Sequence, residues 1–344
     1  MRNLIVLLFL LLPVLAFSQT GGQHVFPFLD LPYSARAVSL GRTFITAYDN
    51  DLNTGIQNPA ALNSKMDNSI GVSQALLAGG INHGMVSYAK DFENVGTGAA
   101  HLRYVAYGKM DRYNELGIKE GTFSAGDFVL GASLGRAINE RLSIGATINI
   151  IWSQLESYNS MGLSLDLAGM YRSENAQTTV SAVVRNAGFQ LTTYTSKNRA
   201  PLPIQALLGV SHKLAHAPFR FSLVAHHINT WDLTYNDPNV KPTKDPLTGE
   251  IIPVEKAGFG EKLGRHFTFQ VEALIGNVVR IRGAFDYNQR REMLVTKRPG
   301  MGGFSFGAGL QFKRFALDYG LFIYSSAGFN NMLTLRTDFD QWRK

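Results

Sequence analysis

The chain has 344 residues, of which 45% are hydrophobic and 17% charged, and its formal net charge is +7. It contains no Cys, which excludes a disulfide framework, cysteine-ligated metal sites and a lipoprotein anchor. The Lys and Arg residues are scattered and form neither a basic patch nor a recognisable nucleic-acid-binding motif, so a nucleic-acid partner is not expected.

The first residues have the composition of a secretory signal peptide. An Arg follows Met1, an apolar run covers residues 4–17, and small residues lie at Ala16 and Ser18. The apolar run is shorter than the about 20 residues that a transmembrane helix needs. We therefore predict that residues 1–18 are a signal peptide.

Residues 19–66, which we call the hatch, show no alternation of apolar and polar residues. Ser34 precedes a short helical pattern at residues 35–41 and can cap it, while residues 49–53 are rich in turn-forming Asp and Asn. The following residues predict a barrel of about 14 strands, as argued below. About eight strands already make an interior that side chains can fill, so the wider lumen has room for a plug, and this compact segment is the candidate.

The turn-rich stretch also carries the opening of a Ca²⁺-binding loop, with acidic or amide residues at positions 49, 51 and 53. Such a loop requires a Gly at its sixth position and a Glu at its twelfth. Thr54 and Ala60 stand there instead. Turn and cap chemistry is therefore the preferred interpretation.

Between Ile70 and Phe339, almost every apolar run alternates with small or polar residues at a period of two, and we assign residues 67–344 to the barrel. Ile144, Ile148 and Ile150, for example, alternate with Thr147 and Asn149. A strand with lipid on one side and a polar lumen on the other has this pattern. We predict an all-β transmembrane barrel of about 14 antiparallel strands, near residues 68–78, 81–91, 96–108, 126–137, 141–156, 160–172, 176–187, 202–214, 218–231, 266–275, 279–290, 302–313, 315–325 and 329–339.

The connections between the predicted strands alternate between tight turns and long loops. Those after even-numbered strands are tight, whereas long ones lie at residues 109–124, 188–201, 232–265 and 291–301. Bacterial barrels have short periplasmic turns and longer outer loops, so both termini are expected in the periplasm. The alternative, a soluble β-sandwich, is disfavoured because its strands are usually about five or six residues long.

Charges in the predicted strands fall on the polar face. Glu272 alternates with apolar neighbours, and so does Arg282 on the next strand. If residues 276–278 form the turn, these two side chains lie opposite each other in the lumen, where we predict a cross-strand ion pair.

Three motifs resemble parts of catalytic or metal sites. The stretch 303–307 matches G-x-S-x-G but lies inside an alternating strand, whereas that nucleophile needs a strand-to-helix turn. Ser87 and Lys90 match S-x-x-K without its companion motifs. Four His residues, at positions 212, 216, 226 and 227, lack a recognised zinc spacing. We expect no enzymatic activity, no metal and no cofactor.

The loop at residues 232–265 is too long for an inert connection in a compact barrel, and loops of this length are usually functional or disordered. We interpret it as an outer-face docking element for a partner protein. The candidate docking residues are Asp237, Lys241, Lys244, Asp245, Glu250 and Glu255.

The N-terminal motifs resemble a known family. The stretch 35–41, the residues 44–49 and the Asn-Pro-Ala-Ala-Leu stretch at 58–62 are similar to the N-terminal signature of the FadL-like barrels, which include the PorV/PorQ family of the type IX secretion system. That resemblance implies fourteen strands with a hatch in the lumen. Arg42 departs from it, because many relatives carry a second Gly there. The positions that match the family motif are Ala37, Gly41, Asp49, Asn58, Pro59, Ala60 and Leu62.

Within this family the chain is more similar to the PorQ branch than to the fatty-acid transporters, because a Gly pair at positions 21 and 22 precedes the Phe-Pro-Phe-Leu-Asp-Leu-Pro-Tyr run at 26–33 and because its length is similar. The resemblance implies an outer-membrane location and membership of an attachment complex. In that complex a PorQ-type barrel holds the surface protein PorZ and a PorV-type barrel holds the sortase PorU, and secreted proteins are joined to surface lipopolysaccharide.

Two functions remain open, and a third is set aside. The leading expectation is a non-enzymatic anchor for a PorZ-like surface partner; the alternative is a transporter of hydrophobic small molecules gated by the hatch. The predicted inward positions are mostly polar, which favours the anchor, because a pocket for apolar ligands is lined mainly by apolar side chains. A surface hydrolase lacks any coherent nucleophile, base and orienting group.

Overall fold

The computed structural model describes residues 24–76, 80–195, 199–234, 242–244, 249, 251–252, 257–293, 300–325, 328–339 and 342. Within them, fourteen strands form one closed antiparallel barrel, in which the last strand pairs with the first. The predicted all-β barrel of fourteen strands is confirmed. The predicted signal peptide, residues 1–18, lies outside the described residues.

The strands that build the barrel are β1 to β9 and β12 to β16. Their bounds are β1 Ser69–Leu76, β2 Asn82–Phe92, β3 Gly96–Tyr113, β4 Lys119–Ala137, β5 Leu142–Leu155, β6 Tyr158–Arg172, β7 Thr178–Thr192, β8 Gln205–Lys213, β9 Phe219–Ala225, β12 Phe267–Ile275, β13 Val279–Asp286, β14 Phe304–Gln311, β15 Phe315–Ser325 and β16 Gly328–Asp338. The two-residue strands β10 Thr243–Lys244 and β11 Ile251–Ile252 pair with each other outside the barrel.

In the described residues, four short α-helices and three 3₁₀-helices accompany the strands. The α-helices are α1 Ala35–Ser39, α2 Leu52–Gln57, α3 Phe259–Gly264 and α4 Tyr287–Glu292, and the 3₁₀-helices are Pro27–Asp30, Pro59–Ala61 and Ser64–Met66. In the described part of the chain, none of the helices combines the length and the apolar character that a membrane span requires.

Strand β5 shows why the sequence forms this wall. Ile144, Ile148 and Ile150 are 47–50% exposed on the outside of the barrel, whereas Thr147 and Asn149 are 1% exposed on the inside. Because successive side chains of a strand point to opposite faces, the period of two in the sequence becomes an apolar outer face and a polar inner face.

Five predicted strand boundaries are wrong at the end of the barrel that carries the long connections. β3 and β4 pair as far as Tyr113 and Lys119, so most of the expected loop at 109–124 is a β-hairpin. β7 likewise continues to Thr192, into the loop expected at 188–201. In contrast, β9 and β13 are shorter than predicted.

The strand expected at 218–231 ends at Ala225, before the backbone turns left-handed at His227, whose φ is 53°. The strand expected at 279–290 ends at Asp286, whose side chain accepts a hydrogen bond from the Gln289 N–H at 3.0 Å and so caps α4. A helix cap therefore ends this strand.

The chain in front of β1 lies inside the barrel. It bonds to inward-facing hydroxyls on widely separated strands: the Ala35 N–H to Thr334 Oγ1 on β16 at 2.8 Å, the Ala60 carbonyl to Ser143 Oγ on β5 at 2.7 Å and the Thr46 carbonyl to Ser211 Oγ on β8 at 3.0 Å. Contacts on several sides of the wall place the described part of the hatch across the lumen.

Candidate functional site

The hatch begins its contact with the wall at helix α1. Ser34 caps this helix, because its Oγ accepts a hydrogen bond from the Ala37 N–H at 3.2 Å. The helix ends at Ser39 and is followed by Gly41, which has a φ of +72° and lies so close to Thr268 of β12 that an added Cβ would be 2.5 Å from Thr268 Cγ2. A Gly at this position therefore satisfies both the left-handed backbone and the close approach to the wall.

Arg42 also has a left-handed backbone, with φ 73°. The guanidinium lies 5.5 Å from the centre of the Phe322 ring and 3.9 Å from Asp286. A non-glycine residue in this conformation is uncommon and carries backbone strain.

Arg36 of α1 is the centre of a charge network that joins the hatch to the wall. Its Nε and Nη2 donate to the two carboxylate oxygens of Glu272 on β12, both at 3.0 Å. It also pairs with Asp49 at 2.9 Å and with Asp51 at 3.1 Å, both within the hatch. One guanidinium thus connects two segments of the hatch to a strand of the barrel.

The network extends along the inner wall. Arg282 bonds to Glu272 at 3.0 Å and to Asp318 at 2.5 Å, in the cross-strand register that places Glu272 opposite Arg282. Four guanidinium groups and four carboxylates take part, so their formal charges balance: Arg36, Arg220, Arg282 and Arg336 with Asp49, Asp51, Glu272 and Asp318.

The pKa values of the two charged hatch residues follow from these contacts. Burial disfavours the charge on Arg36, but Asp49, Glu272 and Asp51 outweigh it and hold the pKa of Arg36 well above its usual value. Burial also disfavours the charge on Asp49 and by itself raises the pKa of its carboxyl, but Arg36 and Arg220 outweigh burial and hold that pKa below its usual value. Both groups therefore remain charged at neutral pH.

The Asn58 to Leu62 stretch is a second attachment of the hatch. Asn58 donates from Nδ2 to the Ile45 carbonyl at 2.7 Å and accepts the Ala60 N–H at 3.0 Å, so it caps the 3₁₀-helix that starts with Pro59. Pro59 lies against Gly145 of β5, where an added Cβ would overlap its carbonyl group. Leu62 packs against Gly135 of β4 in the same way. The matched motif positions thus lie at contacts within the hatch or between hatch and wall.

A cavity of about 350 Å³ remains between the hatch and the end of the barrel at which several long connections begin or end. It reaches Gln205 at the start of β8, His226 just after β9, and Asp286 at the end of β13. Charged side chains from both the hatch and the wall line it, namely Asp30, Arg42, Arg103, Asp166, Arg185 and Glu292. This cavity suits a polar ligand better than an apolar one.

The larger apolar grooves lie on the other side of the wall. One of them is bordered by Ile144, Leu167 and Leu208, which are 48–50% exposed on the outer face. In a barrel of this class that face contacts lipid.

The sequence motifs that resemble catalytic sites are structural parts of strands. Ser305 lies within β14, and its backbone continues as a strand without a following helix. Ser87 donates to Asn53 of the hatch at 3.2 Å, whereas Lys90 bonds to Asp67. Neither Ser is placed beside a base.

The His residues divide into two groups. The Nδ1 atoms of His226 and His227 lie 2.8 Å apart next to the cavity, whereas His212 bonds to Thr178 at the opposite end of β8. In the part of the chain that the structure describes, no group of three or more His, Asp or Glu side chains is arranged to hold a metal ion.

The predicted docking residues Asp237, Lys241, Asp245, Glu250 and Glu255 lie outside the described residues. Lys244 belongs to β10, which pairs with β11 in the same long connection. Further along this connection, Lys262 of α3 bonds to Asp232 at 2.6 Å and connects its two ends.

Sequence reasoning did not identify most of this site. It placed Glu272 opposite Arg282 but did not include Arg36, Asp318 or Arg336. The sequence separation explains the omission, because Arg36 and Glu272 are 236 positions apart. The one available signal was that charged residues recur at inward positions of strands that are not adjacent in sequence.

The fold defines the class of protein: a closed fourteen-stranded β-barrel of the outer-membrane type with a folded N-terminal segment in its lumen. No protein-family model matches the chain, and no curated protein matches it.

Several solved structures share this fold. The toluene transporter TodX of Pseudomonas putida superposes with a TM-score of 0.51 at 12% identity, covering 89% of this chain and 96% of its own. A TodX monoaromatic hydrocarbon channel with the deltaS2S3 mutation gives 0.54 at 12% identity, with 90% and 99% covered. The CymD monoaromatic hydrocarbon channel gives 0.50 at 13% identity, with 89% and 96% covered. The likeness thus extends over about nine-tenths of this chain.

Proposed function

We propose that this protein is a non-enzymatic outer-membrane anchor of the PorV/PorQ family, most similar to its PorQ branch, in the attachment complex of the type IX secretion system. On this proposal its outer loops hold a PorZ-like surface protein next to PorU- and PorV-type components and lipopolysaccharide. The barrel then serves as a rigid support in the membrane.

The observation that carries this proposal is the ion-paired filling of the lumen. Arg36 is 5% exposed and Glu272 is 1% exposed, and the bonds between them join the hatch to β12. Breaking a buried ion pair by removing one partner costs about 3–5 kcal/mol. A hatch attached in this way supports a static scaffold better than a frequently opening channel.

The second candidate is a transporter of hydrophobic small molecules, and the comparisons support it better than they support the anchor. The structures that share the fold are described as channels for monoaromatic hydrocarbons and as a toluene transporter. Against transport stands the polar lining of the lumenal cavity, where Arg103 and Arg185 face inward. An apolar solute would have to displace the solvation of these charges.

One pair of measurements separates the two candidates. A variant that lacks residues 238–256 is expressed in the native outer membrane, solubilised in detergent and tested for a co-purifying surface protein, and the same cells are tested for uptake of toluene and a long-chain fatty acid. The anchor predicts loss of the surface partner and unchanged uptake. Retention of the partner together with reduced uptake contradicts the anchor and supports transport.

A substitution on a short turn serves as the matched control. Lys313 lies between β14 and β15, at the end of the barrel opposite the deleted loop. Lys313→Gln changes one charge without touching the outer connections, so both candidates predict a normal partner and normal uptake. Heat-modifiable migration on gels verifies that each variant has formed its barrel.

A further inference from the structure

We propose that the lumenal cavity is a binding site for a compact oxyanion, a phosphate or carboxylate group, held between the guanidinium groups of Arg103 and Arg185. This site is independent of whether the barrel anchors a partner or transports a solute. Both side chains are on the inner face, since their neighbours Leu102 and Val184 are exposed on the outer face.

The first step is the contrast with the charge network. Arg36, Arg220, Arg282 and Arg336 each have a carboxylate oxygen within 4 Å. Arg103 and Arg185 both line the lumenal cavity. Among the described residues, no carboxylate oxygen lies within 4 Å of either guanidinium group. The fold thus neutralises one set of inward arginines and leaves these two without a close counter-ion.

The second step is that neutral contacts hold both guanidinium groups in place. Arg185 donates from Nη2 and Nε to the Gln57 carbonyl, at 2.8 and 3.2 Å, where α2 ends. Arg103 lies 5.2 Å from the centre of the Tyr33 ring. Both guanidinium groups line the same cavity. An oxyanion between them would accept charge-assisted hydrogen bonds from both.

The third step concerns polar atoms without partners. Within the described part of the chain, Arg103 Nε and His226 Nε2 are buried and have no hydrogen-bond partner. His226 is 3% exposed and lines the cavity, and its Nε2 is 3.9 Å from Asp286. Since buried polar groups are normally hydrogen-bonded, both atoms indicate a polar occupant.

The acidic residues of the cavity do not occupy the place of the anion. Asp166 accepts hydrogen bonds from Asn149 at 3.0 Å and from the Asn186 N–H at 2.7 Å. Asp286 caps α4. Asp30 is the exception, because it lines the cavity together with Arg42 and Arg185 and its carboxylate accepts no hydrogen bond from the described residues. Its negative charge would compete with a bound anion.

The test measures binding of methylphosphonate to the full-length barrel in detergent by saturation-transfer difference NMR. We expect a saturable signal from methylphosphonate and none from tetramethylammonium. Arg103→Gln and Arg185→Gln each keep a hydrogen-bond donor but lose the charge. Each should weaken binding about tenfold or more, since a bond to a charged group contributes about 1.5–3 kcal/mol.

Two further variants make the outcome specific. Asp30→Asn removes the competing charge, so methylphosphonate should bind more tightly, which a merely structural role of the arginines would not produce. Arg112→Gln, on the exposed β3–β4 hairpin, should leave binding unchanged. Absence of a saturable signal overturns the site, and so does unchanged affinity in the two cavity arginine variants. If those variants do not form barrels, Asp30→Asn decides, and unchanged or weaker binding overturns the site.

Discussion

Arg36 of the hatch and Glu272 of strand β12 form a two-point hydrogen-bonded ion pair, with both N–O distances at 3.0 Å. Glu272 also accepts from Arg220 at 2.8 Å and from Arg282 at 3.0 Å. A single carboxylate therefore joins the hatch to three neighbouring strands, β9, β12 and β13. Its loss would leave three buried or half-buried guanidinium groups without this shared acceptor.

The substitution Glu272→Gln is expected to loosen the hatch while the barrel stays closed. The expected cost is about 3–5 kcal/mol, because removal of one buried charge leaves its partners unpaired. Hydrogen exchange followed by mass spectrometry should show faster exchange of the amides of α1 and α2.

The control is Glu261→Gln. Glu261 of α3 pairs with Arg265, directly after α3, and with Arg291 of α4; the side chains of Glu261 and Arg291 are 22% and 37% exposed. Pairs of this kind contribute about 0–1 kcal/mol, so hatch exchange should not change. Equal exchange of the hatch in the two variants would show that the network does not hold it.

The barrel could be predicted from the sequence because its determinants are local. Alternation along one strand, as in Thr147 and Ile148, sets the two faces without knowledge of any other strand. A tight turn at 276–278 then fixes which residues of β12 and β13 are opposite, and this placed Glu272 beside Arg282. Strand number and the order of pairing follow from the same two kinds of information.

The site could be predicted only in part, because its contacts join distant segments. The position of Arg36 depends on how the hatch lies in the lumen, and periodicity contains no information about that. The α4 helix was missed because Asp286 ends an alternating strand and caps a helix at the same position. Arg103 and Arg185 lie at inward positions of their strands, as the other lumenal arginines do, and only the arrangement of carboxylates around those other arginines distinguishes them.

Close packing between β5 and the hatch gives a second prediction. Gly145→Val would drive a side chain into the Pro59 backbone, so the Asn58 to Leu62 stretch must move. We expect new proteolytic cleavage within the hatch and lower thermal stability, since overpacking costs about 1–3 kcal/mol. Gly169→Val is the matched control, because nothing lies within 4 Å of an added Cβ at Gly169. Resistance of both variants to protease would contradict the observed packing.

The lipid-facing surface gives a third prediction. Ile148 lies in the middle of β5 and is 50% exposed on the outer face. Ile148→Arg should destabilise the barrel by about 2–4 kcal/mol, because a charge at the bilayer midplane is costly. The measurement is urea unfolding in phospholipid vesicles, with Leu116→Arg on the exposed β3–β4 hairpin as the control. A stability equal to that of the control would argue against a membrane-spanning β5.

The pH dependence of the hatch gives a fourth prediction. The Asp30 side chain is exposed, but it opens onto the lumenal cavity, where the hatch and the wall replace part of the surrounding water. This partial desolvation raises the pKa of its carboxyl from 3.8 to about 6, although Arg42 and Arg185 act in the opposite direction. The folded hatch therefore binds more protons than the unfolded one between these two values. Its stability should fall as the pH rises from about 4 to about 6 and then become constant.

Asp30→Asn tests the sign of this effect, because its side chain stays uncharged. We expect the variant and the wild type to have similar hatch protection near the lower end of this range, and the variant to be better protected at neutral pH. Asp49 does not obscure the comparison, since its lowered pKa keeps it ionised across the range. The measurement is hydrogen exchange of the hatch corrected for the intrinsic rate at each pH. Parallel pH profiles for the two proteins would show that Asp30 does not titrate in this range.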